Sequence, residues 1–267
     1  MQDFYDAFYT AVPHSQAHHL FCERVFGLDL GQHGFADVAQ LDLLRQVTGL
    51  HAGQSVLDVG CGQGLIAEYL ADLSGAQVTG LDINPQAIAQ ARQRTAVKTG
   101  RLAFQVGDIN RLELTDNTFD VILSIDSLYF SEDYPATIQV LRAALRPEGQ
   151  MAFLYSYGRE PWVPKADFPK ETILPDKTPL AQALQANQLP FRTWDLTARD
   201  YELAQRRKQV LAELRPLFAA EGTLFIYENR LGDAAGISQA IEEGLHGRYL
   251  YHVQCSGAGN GRPPGNP

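Results

Sequence analysis

The sequence predicts a doubly wound α/β domain with a helical preface and a helical insertion before its last strand. Three observations carry that expectation. Apolar strand runs alternate with helical stretches, a glycine-rich turn follows the first run, and the alternation begins only at Ser55, after a purely helical opening.

Residues 2–10, 15–27 and 35–49 carry apolar side chains at helical intervals, with Leu41, Leu44 and Val47 on one face. From Ser55 the runs read SVLDV, IAEYLADL, QVTGLD, AIAQARQRTAV, LAFQVGD, FDVILSI, YPATIQVLRAAL and QMAFLYSY. Such alternation implies βαβ units and a mostly parallel sheet covered on both faces. After Tyr157, Pro161, Pro164, Pro169 and Pro175 crowd one connection, expected to be mobile, and Pro179 opens the next element. A short helix over LAQALQANQ and a strand over FRTWDLT follow. Leu203, Val210, Leu214 and Leu217 then mark a long amphipathic helix that Pro216 is expected to interrupt or kink. After a less regular segment, RYLYHVQC from Arg248 forms the last of seven strands, and the Gly/Pro/Asn-rich end is expected to be a disordered tail. The organisation is thus 1–50 as a helical lid, 51–157 as the core, 158–255 as the rest of the same domain, and 256–267 as the tail.

The net charge of −9 over 267 residues, with basic residues thinly spread, leaves no continuous surface for a phosphate backbone, so a nucleic-acid partner is not expected. Cys22, Cys61 and Cys255 share no metal-like or redox spacing, which suits free thiols in a reducing compartment. No early apolar run follows a basic start, and none approaches the roughly 20 residues of a membrane span. The expectation is a cytoplasmic protein with no membrane span; its oligomeric state is open.

The opening strand runs into Asp58-Val59-Gly60-Cys61-Gly62-Gln63-Gly64, where open α/β sheets bind ligands at the carboxyl ends of their strands. A dinucleotide fingerprint wants glycine at the first, third and sixth positions of this turn, and here the sixth is Leu65. Asp58, just before the glycines, suits a ligand carrying a cationic amine better than a pyrophosphate.

The run Val56–Gly64 resembles motif I of the class I S-adenosylmethionine-dependent methyltransferases. The resemblance continues in order through Gly80-Leu81-Asp82-Ile83, Gly107-Asp108-Ile109, Phe119-Asp120-Val121-Ile122 and Leu145-Arg146-Pro147-Glu148-Gly149-Gln150. Within that family the chain is most similar to the small-molecule branch related to ubiquinone and menaquinone methyltransferases. The resemblance implies a Rossmann-like seven-stranded sheet and S-adenosylmethionine as methyl donor, with S-adenosylhomocysteine as product. It also implies that Asp58 and the backbone of Gly60, Cys61, Gly62 and Gly64 hold the methionine portion. Asp82 is placed for the ribose hydroxyls, Ile83 for an adenine face, and Asp108 with the amide of Ile109 for the adenine edge. Helix capping by Asp82 and a turn at Asp108 are the plain alternatives.

A sulfonium methyl is a good electrophile, so the protein has mainly to align the acceptor and exclude water. Two segments offer groups for this: Ile125–Phe130 after the fourth strand, and Gly31-Gln32-His33-Gly34-Phe35 in the preface. His33 and Asp126 are expected to orient or deprotonate a small-molecule acceptor, and Tyr129 to shape its pocket. Tyr5 and Tyr9, or Phe4 and Phe8, four apart, place one aromatic pair over the cofactor as a lid, or pack as a helix face. Trp162 lines the acceptor pocket or anchors the proline-rich link, and Glu132 and Asp133 read as a solvated turn. His14, His18 and Cys22 lack a completing acid, so no metal site is expected. The alternatives are a non-catalytic S-adenosylmethionine-binding scaffold and an aminopropyltransferase of the same fold. An amino-type nucleic-acid methyltransferase is disfavoured by Asp126-Ser127-Leu128-Tyr129, where two prolines and an aromatic would be expected.

Overall fold

The computed structural model describes residues 2–160 and 162–255. Pro161 and the expected tail at 256–267 lie outside the described residues. Three helices come first: α1 (Gln2–Ala11), α2 (Gln16–Phe26) and α3 (Val38–Thr48). The core then alternates β1 (Ser55–Val59), α4 (Leu65–Ser74), β2 (Gln77–Asp82), α5 (Pro85–Arg94), β3 (Leu102–Val106), β4 (Phe119–Ile125), α6 (Tyr134–Ala144) and β5 (Leu145–Gly158). The chain closes through α7 (Pro179–Ala186), β6 (Phe191–Asp195), α8 (Thr197–Ala220), α9 (Leu224–Glu242) and β7 (His246–Gln254).

Helix boundaries follow from short polar caps. Ser15, Asp37, Asn84, Asp133 and Thr178 each accept a hydrogen bond from the first turn of α2, α3, α5, α6 and α7. Asp133, exposed in the turn before α6, also caps that helix. Helix α8 runs through Pro216 without interruption, and the segment after it, expected to be less regular, is the 19-residue helix α9. The apolar face of α8 includes Leu203, Leu211, Leu214 and Phe218, all buried, which outweighs the one backbone hydrogen bond proline removes.

The sheet has seven strands in the order β3-β2-β1-β4-β5-β7-β6. Pairing is parallel from β3 to β5, and β7 inserts antiparallel between β5 and β6. Alternation along the strands sorts the core. Leu57, Ile122, Met151, Phe153 and Tyr155 face α6 and α7, while Val56, Val121, Leu123, Ala152 and Leu154 face α3, α4 and α5. A third cluster joins α1, α2, α8 and α9 through Phe8, Phe21, Phe26, Leu211, Phe218 and Ile226. Each fully buried Leu or Phe contributes about 1.5–3 kcal/mol. The preface and the insertion before the last strand thus form one helical cap.

The chain leaves β1 toward β2 and β3, then returns across it to β4, so a crevice opens at the carboxyl ends of β1 and β4. Arg248 of β7, fully buried, ties this end together. Its Nη1 donates to Asp126 Oδ1 and, at 3.0 Å, to Ser156 Oγ; its Nε donates to Gln40 Oε1 at 2.9 Å and lies 3.2 Å from Asp200 Oδ1. Burial works against the guanidinium charge, but Asp126 and Asp200 outweigh it and hold Arg248 protonated above its ordinary value. Arg248→Met leaves two buried carboxylates without their counter-charge, an expected loss of about 3–5 kcal/mol in urea unfolding.

Candidate functional site

The glycine turn after β1 is built for close approach. Gly60 has φ +78°, and a Cβ there would come within 2.2 Å of Ser127 Cβ. Ser127 stitches the β4 exit to the β1 exit, its Oγ donating to Val59 O at 2.5 Å. The amides of Gly60 and Cys61 donate to Leu81 O at 2.7 and 2.9 Å, which fixes the turn against the end of β2.

Around this turn lies a cavity of about 470 Å³ at the carboxyl ends of β1, β2, β3 and β4. Tyr5, His33, Gly60, Cys61, Gly62, Asp82, Ile83, Asp108, Ile109 and Asp126 all line it. Asp82 Oδ2 accepts from Gly62 N at 2.8 Å and Oδ1 from Asn84 N at 2.9 Å, while burial raises its carboxyl above the ordinary value. Capping of α5 falls to Asn84, whose Oδ1 accepts from Gln86 N and Ala87 N. Asp108 does hold a turn, accepting from Asn110 N at 2.9 Å, and still reaches the cavity wall. Ile83 is 59 % exposed, an apolar face left open at the mouth.

Three expected residues stand outside the wall. Gly64 is the N-cap of α4 and packs on Phe104. Asp58 lies beneath the turn, 2 % exposed, with Oδ1 left without a hydrogen-bond partner. Burial, and secondarily the charge of Asp82, push its carboxyl up to about 7. Tyr129 stands 40 % exposed with its ring 4.8 Å from Phe130, and it is Phe130 that lines the cavity.

Another part of the wall is shaped by the preface. His33 is ringed by Phe4, Tyr5 and Phe8 at 5.8, 5.0 and 5.0 Å between centroids, and its Nε2 is buried without a partner. Burial, then the charges of Arg230 and Arg207, push the imidazole well below its ordinary value, so it is neutral. Arg230 of α9 fixes the loop from behind, Nη1 donating to His33 O and Nη2 to Gln32 O at 2.8 Å. Asp126 fixes it from the front. With φ +54°, it turns its carboxylate to accept from Phe35 N and Ala36 N at 2.8 and 3.1 Å as well as from Arg248. A Cβ at Gly34 would meet Asp126 Oδ2 at 2.3 Å, so only glycine lets the loop close on that carboxylate. Asp126 is thus committed to four donors, whereas His33 Nε2 is buried with none. Tyr9 joins Tyr5 over the turn, their rings 6.0 Å apart, and Tyr9 lies 3.0 Å from the position a Gly62 Cβ would take.

Asn84, Asn110, Leu112, Arg230 and Arg248 escaped the sequence reading although they build the wall or its support. An arginine at the head of an apolar strand run was the available signal, at Arg248. Trp162, expected to line the pocket or anchor the link, is 77 % exposed and outside the wall. His18 Nε2 and Cys22 Sγ lie 3.4 Å apart in the buried face of α2. Among the described residues no group of three or more His, Cys, Asp or Glu is placed to hold a metal.

A family model described as a methyltransferase domain matches residues 50–213, and the chain belongs to that family. It is 34% identical over 149 residues to phosphoethanolamine N-methyltransferase 3 of Arabidopsis thaliana, a match covering 55% of this chain and 29% of that protein. The chain thus spans less than a third of the length of that relative. The O-methyltransferase resE of Aspergillus sclerotiorum is 36% identical over 103 residues, covering 38% of this chain and 39% of the other. Among solved structures, phosphoethanolamine N-methyltransferase 2 of Haemonchus contortus, in complex with phosphomonomethylethanolamine and S-adenosylhomocysteine, superposes with a TM-score of 0.75 at 18% identity. That likeness covers 94% of this chain and 60% of the other, and it shows the shared fold.

Between its ordinary value of 3.8 and about 7, Asp58 keeps in the folded protein a proton that the unfolded chain has released, so stability falls as pH rises through that window. Asp58→Asn removes the buried charge. Its urea midpoint is expected to exceed that of the parent at pH 8 and to converge with it at pH 4.

Proposed function

We propose that this chain is an S-adenosylmethionine-dependent methyltransferase acting on a small-molecule acceptor. The single observation that carries the reading is the cavity itself, in which the glycine turn, Asp82 and Asp108 converge from three successive strand ends. The residues fit the donor molecule. Asp82 spends one lone pair of each oxygen on the backbone and keeps the others for the two ribose hydroxyls. Ile83 offers its open face to adenine, and Asp108 with the Ile109 amide faces the adenine edge. The unpartnered Oδ1 of Asp58, with the Gly60, Cys61 and Gly62 backbone above it, suits the methionine ammonium. When bound, S-adenosylmethionine supplies an electrophilic methyl group on a sulfonium.

The chain's own residues then have to place the acceptor and exclude water. Tyr5, His33 and Phe130 line the same cavity as the glycine turn. Asp126 orients this wall through the Phe35 and Ala36 amides, and its carboxylate, already holding four donors, is not free to take a proton. His33, neutral and with a buried Nε2 that has no hydrogen-bond partner, is the remaining candidate to accept one once the loop shifts to expose it. Tyr129 shapes the pocket through Phe130 rather than directly. Three free thiols and the lack of a described helix long and apolar enough to cross a membrane support a cytoplasmic setting.

Calorimetry with S-adenosylhomocysteine and an acceptor screen with methyl-labelled donor, read by product mass, test the reading. Asp82→Ala is expected to weaken S-adenosylhomocysteine about 10–100-fold, as for loss of charge-assisted hydrogen bonds. A parent protein that binds no S-adenosylhomocysteine would refute the assignment.

A further inference from the structure

We infer that Asn84 and Asn110 are positioning residues that couple donor binding at Asp82 and Asp108 to the two covers of the cavity, helix α1 and the 3-10 turn Leu128–Phe130. This rests on the methyltransferase reading above and adds to it a means by which the bound donor fixes the rest of the wall.

The same three residues stand where β2 and β3 end, Asp82-Ile83-Asn84 and Asp108-Ile109-Asn110. In each, the acid accepts from the amide two residues on, Asn84 N to Asp82 Oδ1 and Asn110 N to Asp108 Oδ1, both at 2.9 Å. A turn of this kind fixes the asparagine backbone relative to the carboxylate. Each asparagine then uses its side chain to hold another element. Asn84 Oδ1 caps α5, and its Nδ2 donates to Asp6 Oδ1 of α1 at 2.7 Å. Asn110 pairs with backbone, its Nδ2 donating to Phe130 O at 3.1 Å and its Oδ1 accepting from Glu132 N at 2.8 Å. Both elements reached in this way supply rings to the cavity wall, Tyr5 and Tyr9 from α1 and Phe130 from the turn.

Further side-chain hydrogen bonds run along the seam between α1 and α5. Gln86 Nε2 donates to Thr10 Oγ1 at 3.0 Å, and Gln90 Nε2 to Tyr9 O at 2.9 Å. Gln63 of the glycine turn donates to Gln90 Oε1 at 2.5 Å. The apolar side of α1, with Phe8 fully buried, packs instead on the helical cap. Polar bonds along a partly wet seam contribute little net, because the same groups bond to water when the seam parts. A ligand that touches α1 only when the seam is shut binds the shut state more tightly and shifts the protein toward it. Tyr5 and Tyr9 meet that condition, since they line the cavity from α1. Asn84 sits between the acid that takes the ribose and the helix that covers it, so a grip on one is a grip on the other. Asn110 stands in the same relation to Asp108 and Phe130. Coupling is reciprocal, so the hold that the donor adds to the covers is returned as affinity for the donor.

Hydrogen exchange of the full chain, with and without saturating S-adenosylhomocysteine, tests the coupling. In the parent, S-adenosylhomocysteine is expected to slow exchange of the amides of residues 5–11 and 128–132 by about fivefold or more. Asn84→Asp keeps an oxygen to cap α5 and the amide that holds Asp82, but sets a carboxylate against Asp6. It should abolish the slowing over 5–11, leave that over 128–132, and weaken S-adenosylhomocysteine about 5–50-fold. Asp6→Ala, at an exposed position, should do the same without touching α5. Adding Asp6→Asn to Asn84→Asp exchanges donor and acceptor at unchanged net charge and should restore both slowing and affinity, which a role confined to helix capping does not predict. Asn110→Ala keeps the Asp108 turn and should give the converse pattern, losing the slowing over 128–132 and keeping that over 5–11. A parent that binds S-adenosylhomocysteine with neither segment slowed overturns this inference and leaves the methyltransferase reading standing. So does slowing that survives in each variant, or a double variant no better than Asn84→Asp alone. A parent that binds no S-adenosylhomocysteine overturns both.

Discussion

The buried ion pair between Arg248 and Asp126 is the constraint on which the rest of this site depends. One guanidinium, wholly removed from water, meets groups from β5, α3, α8 and the exit of β4, where Asp126 links it to the preface loop. A charge so buried is tolerated only because its donors are matched by acceptors on several sides. That requirement fixes geometry as well as charge. If Asp126 turned away, Arg248 would lose its main partner and the Phe35 and Ala36 amides would lose theirs. The left-handed backbone of Asp126 and the bare Cα of Gly34 are the local concessions that let this junction form.

Around that junction the parallel sheet does the placing. Acids at the ends of β2 and β3 are brought to one crevice because the strand order reverses at β1. Backbone donors then hold Asp82 and Asp108 in place before any ligand arrives. Asp58 differs, since it is buried with one oxygen unanswered and its charge is costly until a cation approaches. The part of the crevice around the glycine turn is therefore prebuilt, and the part under the preface depends on a loop held by Arg230 and Asp126.

Much of this was legible in the sequence because it rests on local rules. Strand runs, the glycine turn and the acids at strand ends sit within a few residues of the structure they specify, and the structure places Tyr5, Gly60, Cys61, Gly62, Asp82, Ile83, Asp108, Ile109, His33 and Asp126 on one wall. What the sequence did not show depends on long-range contact. Arg230 meets His33 and Arg248 meets Asp126 across most of the chain, and no periodicity encodes such pairings. Helix α9 was hidden because its buried positions include Arg230 and Ser238 and so blur the apolar stripe. Tyr129 and Phe130 are neighbours on a short 3-10 turn, where one residue of rotation decides which ring faces the cavity.

The origin of the two clamping arginines bears on how the protein is made. Both come from the last part of the described chain, while the loop they secure lies within the first forty residues. On a ribosome the anchors follow that loop by about 200 residues, on the order of ten seconds or more at ordinary elongation rates. That loop is thus made well before it can be fixed, so partly made chains carry the glycine turn without a finished pocket.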